Sequence, residues 1–289
     1  MTSAAAAIVA GTMLLTGCSP AAIPGTGSTG VPATVFEHIH ELVLDPNDGT
    51  ILLATHEGLY RLTIGVEGAT AVVGPIAGLD FDPMGFTLAD GIAYASGHPG
   101  PTTPVTFGRP SLGLITSADG GKTWTNVSLT GQTDFHGLTV MTDGDGPPRV
   151  FGYDASAGRI ERSVDGGVTW SSGAVVSARD ILAVGNQLFA TTPDGLAISD
   201  DGSATFTVDP DAPGLYVIAG DGSGTLAGVD TTGTIWTRVV GEGWVHGHTI
   251  DGTAQAIAVD GARLYIADDR GIAYTDDAGA TWVVLQLHT

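Results

Sequence analysis

From Pro32 onward, short apolar runs alternate with polar and glycine-rich breaks, and no stretch keeps a helical period. One unit recurs: an apolar strand, a turn, a second apolar strand ending in polar residues, then a glycine that opens a third strand. The predicted second strands are Ile51–Thr55, Ile92–Ser96, Val150–Tyr153, Leu188–Thr192, Thr225–Val229 and Leu264–Ala267. The glycines that follow, Gly58, Gly113, Gly158, Gly195, Gly233 and Gly271, lie 55, 45, 37, 38 and 38 residues apart. That spacing is close to the length of a four-stranded propeller blade. The pattern predicts an all-β, six-bladed β-propeller over residues 33–289, with a seventh blade left open if the segment 32–37 pairs with a further strand. No composition shift marks a second domain.

A second repeat sits inside the first. Ser163-Val-Asp165-Gly-Gly167-Val-Thr169-Trp170 is matched at every fixed position by Ser117-Ala-Asp119-Gly-Gly121-Lys-Thr123-Trp124. Thr275-Asp-Asp277-Ala-Gly279-Ala-Thr281-Trp282 and Ser199-Asp-Asp201-Gly-Ser203-Ala-Thr205-Phe206 are close variants. The fifth unit lacks the motif but keeps Trp236 and Trp244. The pattern resembles the Asp-box, or bacterial neuraminidase repeat, a tight turn between the two outer strands of a propeller blade. Its carboxylate can accept hydrogen bonds from its own turn, its glycine takes a positive φ, and its aromatic ring can cover a seam between blades. Asp119, Trp124, Asp165, Trp170, Asp201, Phe206, Asp277 and Trp282 are therefore expected to be structural.

Composition narrows the classes of partner. The chain has 289 residues, with Lys+Arg 10 against Asp+Glu 31, a formal net charge of −21. Nucleic-acid affinity rests on Lys and Arg neutralising phosphates, so no nucleic-acid partner is expected. The chain is expected to act as a monomer.

The first 17 residues are small and apolar and end in Leu15-Thr16-Gly17-Cys18. This resembles the lipobox of bacterial lipoproteins, although no Lys or Arg precedes the apolar run. The resemblance implies a signal peptide over 1–17, a lipid on Cys18 that ties the protein to the membrane, and a tether of small and polar residues over 18–32. Cys18 is the single cysteine of the chain, which a lipid thioether explains and disulfide pairing does not. The expected location is extracytoplasmic, on a bacterial membrane.

In a propeller, the starts of the innermost strands and the ends of the second strands emerge on one face, and the turns between third and fourth strands on the other. Aligning the innermost strands on their apolar alternation puts His40, Met84 and His136 level, with Asp180 and Gln255 near that level in later blades. The second strands add His56 and Glu57, then His98, then Tyr153 and Asp154. Counting His38, five of the eight histidines converge on one face of three blades. His40, His56, Met84, His98 and His136 are thus expected to form a single cluster. Imidazoles with a thioether suit a copper or zinc ion. The competing reading is a funnel of polar side chains hydrogen-bonded around water. A Pro-rich insertion between His98 and Ser111 reads as a binding loop or a tolerated surface insertion.

The chain as a whole resembles the sialidase-like β-propellers grouped with glycosylhydrolases, and within them a lipoprotein subgroup. The segments that carry this are His38-Ile-His40-Glu-Leu, Ala54-Thr-His56-Glu-Gly-Leu59, Met84-Gly-Phe86, Ser96-Gly-His98-Pro and Asp134-Phe-His136-Gly-Leu138. True sialidases also carry an Arg-Ile-Pro motif and an arginine triad. The first is absent, and no arginine occurs between Pro32 and Tyr60, where the first triad member is expected. Sialidase activity is not expected. A more general glycoside hydrolase would need two facing carboxylates, and Glu57, Asp82, Asp134 and Asp154 fall on the relevant face, with Glu57, Asp134 and Asp154 the candidates. Asp45-Pro-Asn-Asp48-Gly49 and Asp143-Gly-Asp145-Gly read as turns, with calcium as a remote alternative. The expected role is a ligand-binding or assembly module facing a partner protein or an extracellular glycan; the alternative is a hydrolase of extracellular glycans.

Overall fold

A computed structural model describes Met1 and residues 36–65, 70–142, 146–239 and 241–287. The expected signal segment, Cys18, the tether and the Asp143–Asp145 turn lie outside the described residues, Met1 apart.

Among the described residues, twenty-four strands form six antiparallel sheets of four. Blade one holds β1 (Ile39–Leu44), β2 (Ile51–Thr55), β3 (Gly58–Ile64) and β4 (Thr70–Val73); blade two holds β5 (Asp82–Ala89), β6 (Ile92–His98), β7 (Leu114–Ser117) and β8 (Thr125–Ser128). Blade three holds β9 (Phe135–Met141), β10 (Arg149–Asp154), β11 (Arg159–Ser163) and β12 (Ser171–Val175). Blade four holds β13 (Asp180–Val184), β14 (Gln187–Thr192), β15 (Gly195–Ser199) and β16 (Thr207–Val208). Blade five holds β17 (Leu215–Gly220), β18 (Thr225–Asp230), β19 (Thr234–Val239) and β20 (Val245–Thr249). Blade six holds β21 (Ala254–Asp260), β22 (Arg263–Asp268), β23 (Gly271–Thr275) and β24 (Val283–Leu287). Each sheet keeps sequence order, and the first strand of each blade touches the first strand of the next around the ring. The molecule is a six-bladed β-propeller, as its repeat spacing predicts.

Two of the glycines that open or precede the third strands leave no room for a side chain. Gly271 has φ +147, and a Cβ there would lie 2.0 Å from the Gln286 carbonyl oxygen. Gly113 has φ +69 and would meet the Ser128 carbonyl oxygen at 2.3 Å. In both cases the backbone of the fourth strand passes where a side chain would be, so the repeat glycine records how closely the outer pair is sewn together.

The core lies in the seams between blades. Phe36, Leu42 and Tyr60 of the first blade pack with Ala256, Tyr265 and Ile272 of the sixth. Among the described residues, no shared strand closes that seam. It is closed by side chains: the Ile39 N–H donates to Gln255 Oε1 at 3.0 Å, and Thr70 Oγ1 donates to the Leu285 carbonyl at 2.7 Å.

The four recurring turns share one hydrogen-bond scheme. In the blade-three copy, Asp165 accepts the Thr169 N–H at 2.9 Å and the Thr169 hydroxyl at 2.6 Å, while Ser163 Oγ accepts the Gly167 N–H at 2.8 Å. The Asp119, Asp201 and Asp277 copies repeat it. Donation by the threonine hydroxyl, then by its amide, holds the carboxyls of Asp119, Asp165 and Asp201 down at about 2. The aromatic ring closes each turn on the preceding blade. Trp124 joins a cluster with Leu52 and Leu59, Trp170 one with Leu114, Phe206 one with Ile160, and Trp282 one with Ile235. These turns connect third to fourth strands, which puts them on the face opposite the starts of the inner strands.

Candidate functional site

The starts of the inner strands and the ends of the second strands in blades one to three meet at one mouth of the central channel. His40 is the second residue of β1, His56 follows β2, Asp82 and Met84 lie in β5, His98 ends β6, Asp134 precedes β9 and His136 is its second residue. A cavity of about 490 Å³ opens there, lined by His38, His40, His56, Met84, His136 and Arg179 with Tyr153 and Tyr216.

Two separate triplets form within this face, where the sequence predicts one cluster. In the first, His40 Nε2 lies 3.0 Å from Asp82 Oδ1, His56 Nδ1 lies 3.0 Å from Asp82 Oδ2, and the two nitrogens are 3.3 Å apart. In the second, His98 Nε2 and His136 Nε2 both approach Asp134 Oδ2, at 3.1 and 3.0 Å. Within each triplet the donor atoms all lie within 4.8 Å of one another. Each triplet also crosses a blade seam: blades one and two supply the first, blades two and three the second. Met84 lines the cavity with His40 and His56.

Proton positions make the first triplet unusual. Both imidazoles satisfy Asp82 only as N–H donors, since a carboxylate accepts. The same two nitrogens then face each other at 3.3 Å, donor against donor. Burial pushes the Asp82 carboxyl up, but the hydrogen bonds from His40 and His56 outweigh it and hold the group below its ordinary value. His38 packs its ring over both partners, 4.9 Å from His40 and 5.8 Å from His56. Burial first, then the neighbouring His40 and Arg179, push His38 down to about 4, so it stands there neutral at pH 7.

The fourth blade departs from the expected register by one residue. Asp180 was expected level with His40, but Arg179 occupies the histidine-lined cavity, and Asp180 lines a second cavity of about 630 Å³ further along the channel with Glu41. A slip of one residue turns a strand's side chains to the other face. The Asp180 carboxylate accepts the Ile218 N–H at 2.9 Å. Burial raises both Glu41 and Asp180 above the usual carboxylate range, their proximity raises Glu41 further, and Arg179 works against both shifts. Arg179 itself lies 4.8 Å over the Tyr216 ring. Gln255 closes the ring seam rather than lining the cavity.

The carboxylates considered for glycan hydrolysis each have a partner of their own, with Glu57 Oε2 left buried and without a hydrogen bond. Asp154 accepts the Ser156 hydroxyl and the Ala157 N–H of its own turn, at 2.6 and 3.0 Å. Glu57 Oε1 accepts the Glu37 N–H at 3.1 Å. Asp134 holds two imidazoles. The Asp45–Gly49 segment is a turn, in which Asp45 accepts the Asn47 N–H at 3.1 Å and Asp48 accepts the Thr50 N–H at 3.0 Å. The insertion after His98 is pinned back: Asp80 accepts the Thr102 N–H at 2.9 Å and the Thr103 hydroxyl at 3.0 Å, and Arg109 donates to the Gly100 carbonyl at 3.2 Å. His246 and His248 lie on the outer strand β20, away from this mouth.

No family model matches the sequence, and no curated protein matches it. Solved structures share the fold at low identity. A nidogen/laminin complex structure aligns with TM-score 0.60 and 16% identity, over 81% of this chain and 91% of that one. The GH74 xyloglucanase from Xanthomonas campestris aligns with TM-score 0.57 and 16% identity, over 87% of this chain but only 46% of the enzyme, so the chain spans about half that protein's length. YCF48 bound to D1 peptide aligns with TM-score 0.51 and 14% identity, over 88% and 82%. These likenesses show the β-propeller fold.

Proposed function

We propose that this protein is a lipid-anchored, extracytoplasmic propeller that binds a transition metal ion at its histidine-lined mouth and serves there as a binding or assembly module. The observation that carries the reading is the first triplet. A tetrahedral ion with bonds of ~2.0–2.2 Å has ligand–ligand edges of roughly 3.3 Å, the separation of His40 Nε2 from His56 Nδ1. A cation between those nitrogens replaces the facing N–H donors and converts a repulsive contact into shared coordination. Two imidazoles and a carboxylate form a donor set suited to zinc or copper(II). Met84 lies close enough to the cavity to make copper worth testing alongside zinc. Cys18 supplies the anchor in this reading.

The alternative, hydrolysis of extracellular glycans, draws support from the fold likeness alone. Glu57, Asp134 and Asp154 are each engaged with separate partners.

Elemental analysis of the purified protein, followed by calorimetric titration of the chelator-stripped protein with Zn²⁺ and Cu²⁺, tests the proposal. Saturable binding that His40→Ala with His136→Ala removes, while the circular dichroism spectrum and melting stay those of a folded propeller, is the expected result. Stripped, folded wild-type protein that takes up neither ion would overturn it.

A further inference from the structure

The two triplets have the same composition and different surroundings. In the first, the His40 side chain is 7% exposed, Asp82 20% and His56 40%. In the second, His98 is 47% exposed, Asp134 23% and His136 37%. The most shielded donor of the first has no counterpart in the second. His38 adds a further ring over the first triplet, packed edge-on against His40.

Carboxylate use differs in the same sense. Asp82 offers one oxygen to each imidazole, which sets both of its oxygens beside the two ring nitrogens. Asp134 gathers both imidazoles on Oδ2. Its Oδ1 accepts no hydrogen bond from the described residues, which leaves a first-row ion at this place both solvent access and an unrestrained oxygen. Support behind the donors also differs. Asp82 is the first residue of β5 and lies inside the sheet ladder, whereas Asp134 stands just before β9 begins.

We infer that the His40–His56–Asp82 and His98–Asp134–His136 triplets are two metal sites of unlike exchange, the first retaining its ion and the second releasing it readily to solvent or to an acceptor. This rests on the metal-binding reading above and adds a division of labour to it. An ion in the first site would cross-link blades one and two. An ion in the second would sit on blades two and three with coordination positions open to water or an incoming ligand. Ligand replacement at an open position also gives the ion a low-barrier route out. The first site is less open to that route at one donor: His40 is 7% exposed and the His38 ring packs edge-on against it, and the shell around a site tunes how it holds its metal.

The test is the rate of zinc release from the full-length protein. Chelator-stripped protein is loaded with two equivalents of Zn²⁺, mixed with excess chromophoric chelator, and followed in time. Two phases of equal amplitude are expected, separated by about tenfold or more, the scale on which outer contacts change metal binding. His98→Ala with His136→Ala removes the fast phase, and His40→Ala with His56→Ala removes the slow one. The wild-type trace alone decides the first point, so a variant that fails to fold leaves the idea testable. One phase carrying both equivalents, or the two phases lost to the opposite variants, overturns the division of labour while leaving metal binding intact. Protein that retains no zinc in either phase overturns metal binding itself.

Discussion

Asp82 and His98 are partners on one rung of the β5–β6 ladder. Asp82 is the carboxylate of the first triplet and His98 an imidazole of the second, so two sites that span three blades meet at one pair of strands. Residues opposite each other on an antiparallel ladder point to the same side of the sheet, with Cα atoms about 4.5–5.5 Å apart. Blade two thereby contributes the central acid to one triplet and an outer ligand to the other. Asp82→Asn should weaken zinc binding at the first triplet and leave His98 with Asp134 in place. Calorimetry that shows both sites lost together would mean that this rung makes them one unit.

Acid should weaken the recurring turns. Asp119, Asp165 and Asp201 are held at about 2 in the fold, against about 3.9 for an unfolded aspartate. A depressed carboxyl adds stability that is complete above the unfolded value and lost as pH falls through the folded one. The melting temperature should therefore drop between about pH 4 and pH 2. Thr169→Val, which deletes the strongest donor to Asp165, should shrink that drop; melting curves at pH 5 and pH 3 that are unaffected by the substitution would count against it.

Trp170 should matter for stability and not for ligand binding. Its ring is half-buried, stands 4.8 Å from Phe135, and donates from Nε1 to the Gly167 carbonyl at 3.0 Å. Trp170→Ala should cost stability near the lower end of about 3–5 kcal/mol, with metal affinity unchanged. Loss of zinc binding in a still-folded variant would place the turns and the histidines on the same face.

The repeat glycines should differ in their tolerance. Gly158 has φ +61 and open space around it, so Gly158→Ala should cost only about 1–2 kcal/mol for the left-handed backbone. Gly271→Ala adds a collision with the Gln286 carbonyl and should cost clearly more. Denaturant midpoints of the two variants check the order.

Asp180→Asn should stabilise the protein near neutral pH. Burial raises Asp180, and Glu41 from β1 and Arg179 beside it are the charged groups it faces. A carboxyl raised in the fold contributes stability below its unfolded value and loses it as pH rises through the folded one. Asparagine keeps an oxygen for the Ile218 N–H and cannot ionise. The gain in melting temperature should be larger at pH 7 than at pH 4, and an equal change at both would remove ionisation as the cause.

The blades were legible in the sequence because their signals are local. A turn such as Ser163–Trp170 carries hydrogen bonds within eight residues, and glycines such as Gly113 and Gly271 answer to the strand beside them. The histidines were legible as a face, since alternation fixes the side of a strand. What could not be read was which groups meet. Asp82 meets imidazoles of another blade, Asp134 meets His98 of another blade as well as its neighbour His136, and Arg179 replaces Asp180 at the cavity through a slip of one residue. No alternation rule resolves a single-residue shift before a strand begins, because the preceding loop sets it.

The seam between the first and last blades is fastened by Gln255 and Thr70 rather than by a strand borrowed across it. Every blade is thus one uninterrupted length of chain, and the closing seam is built like the other five. Such a ring can be cut and rejoined at any junction between blades without leaving a sheet one strand short. A blade can be copied or lost as a unit, too, with only two seams to repack. The histidine mouth does not share that freedom: it reads three consecutive blades in a fixed order, and an insertion among them would part Asp82 or Asp134 from its imidazoles.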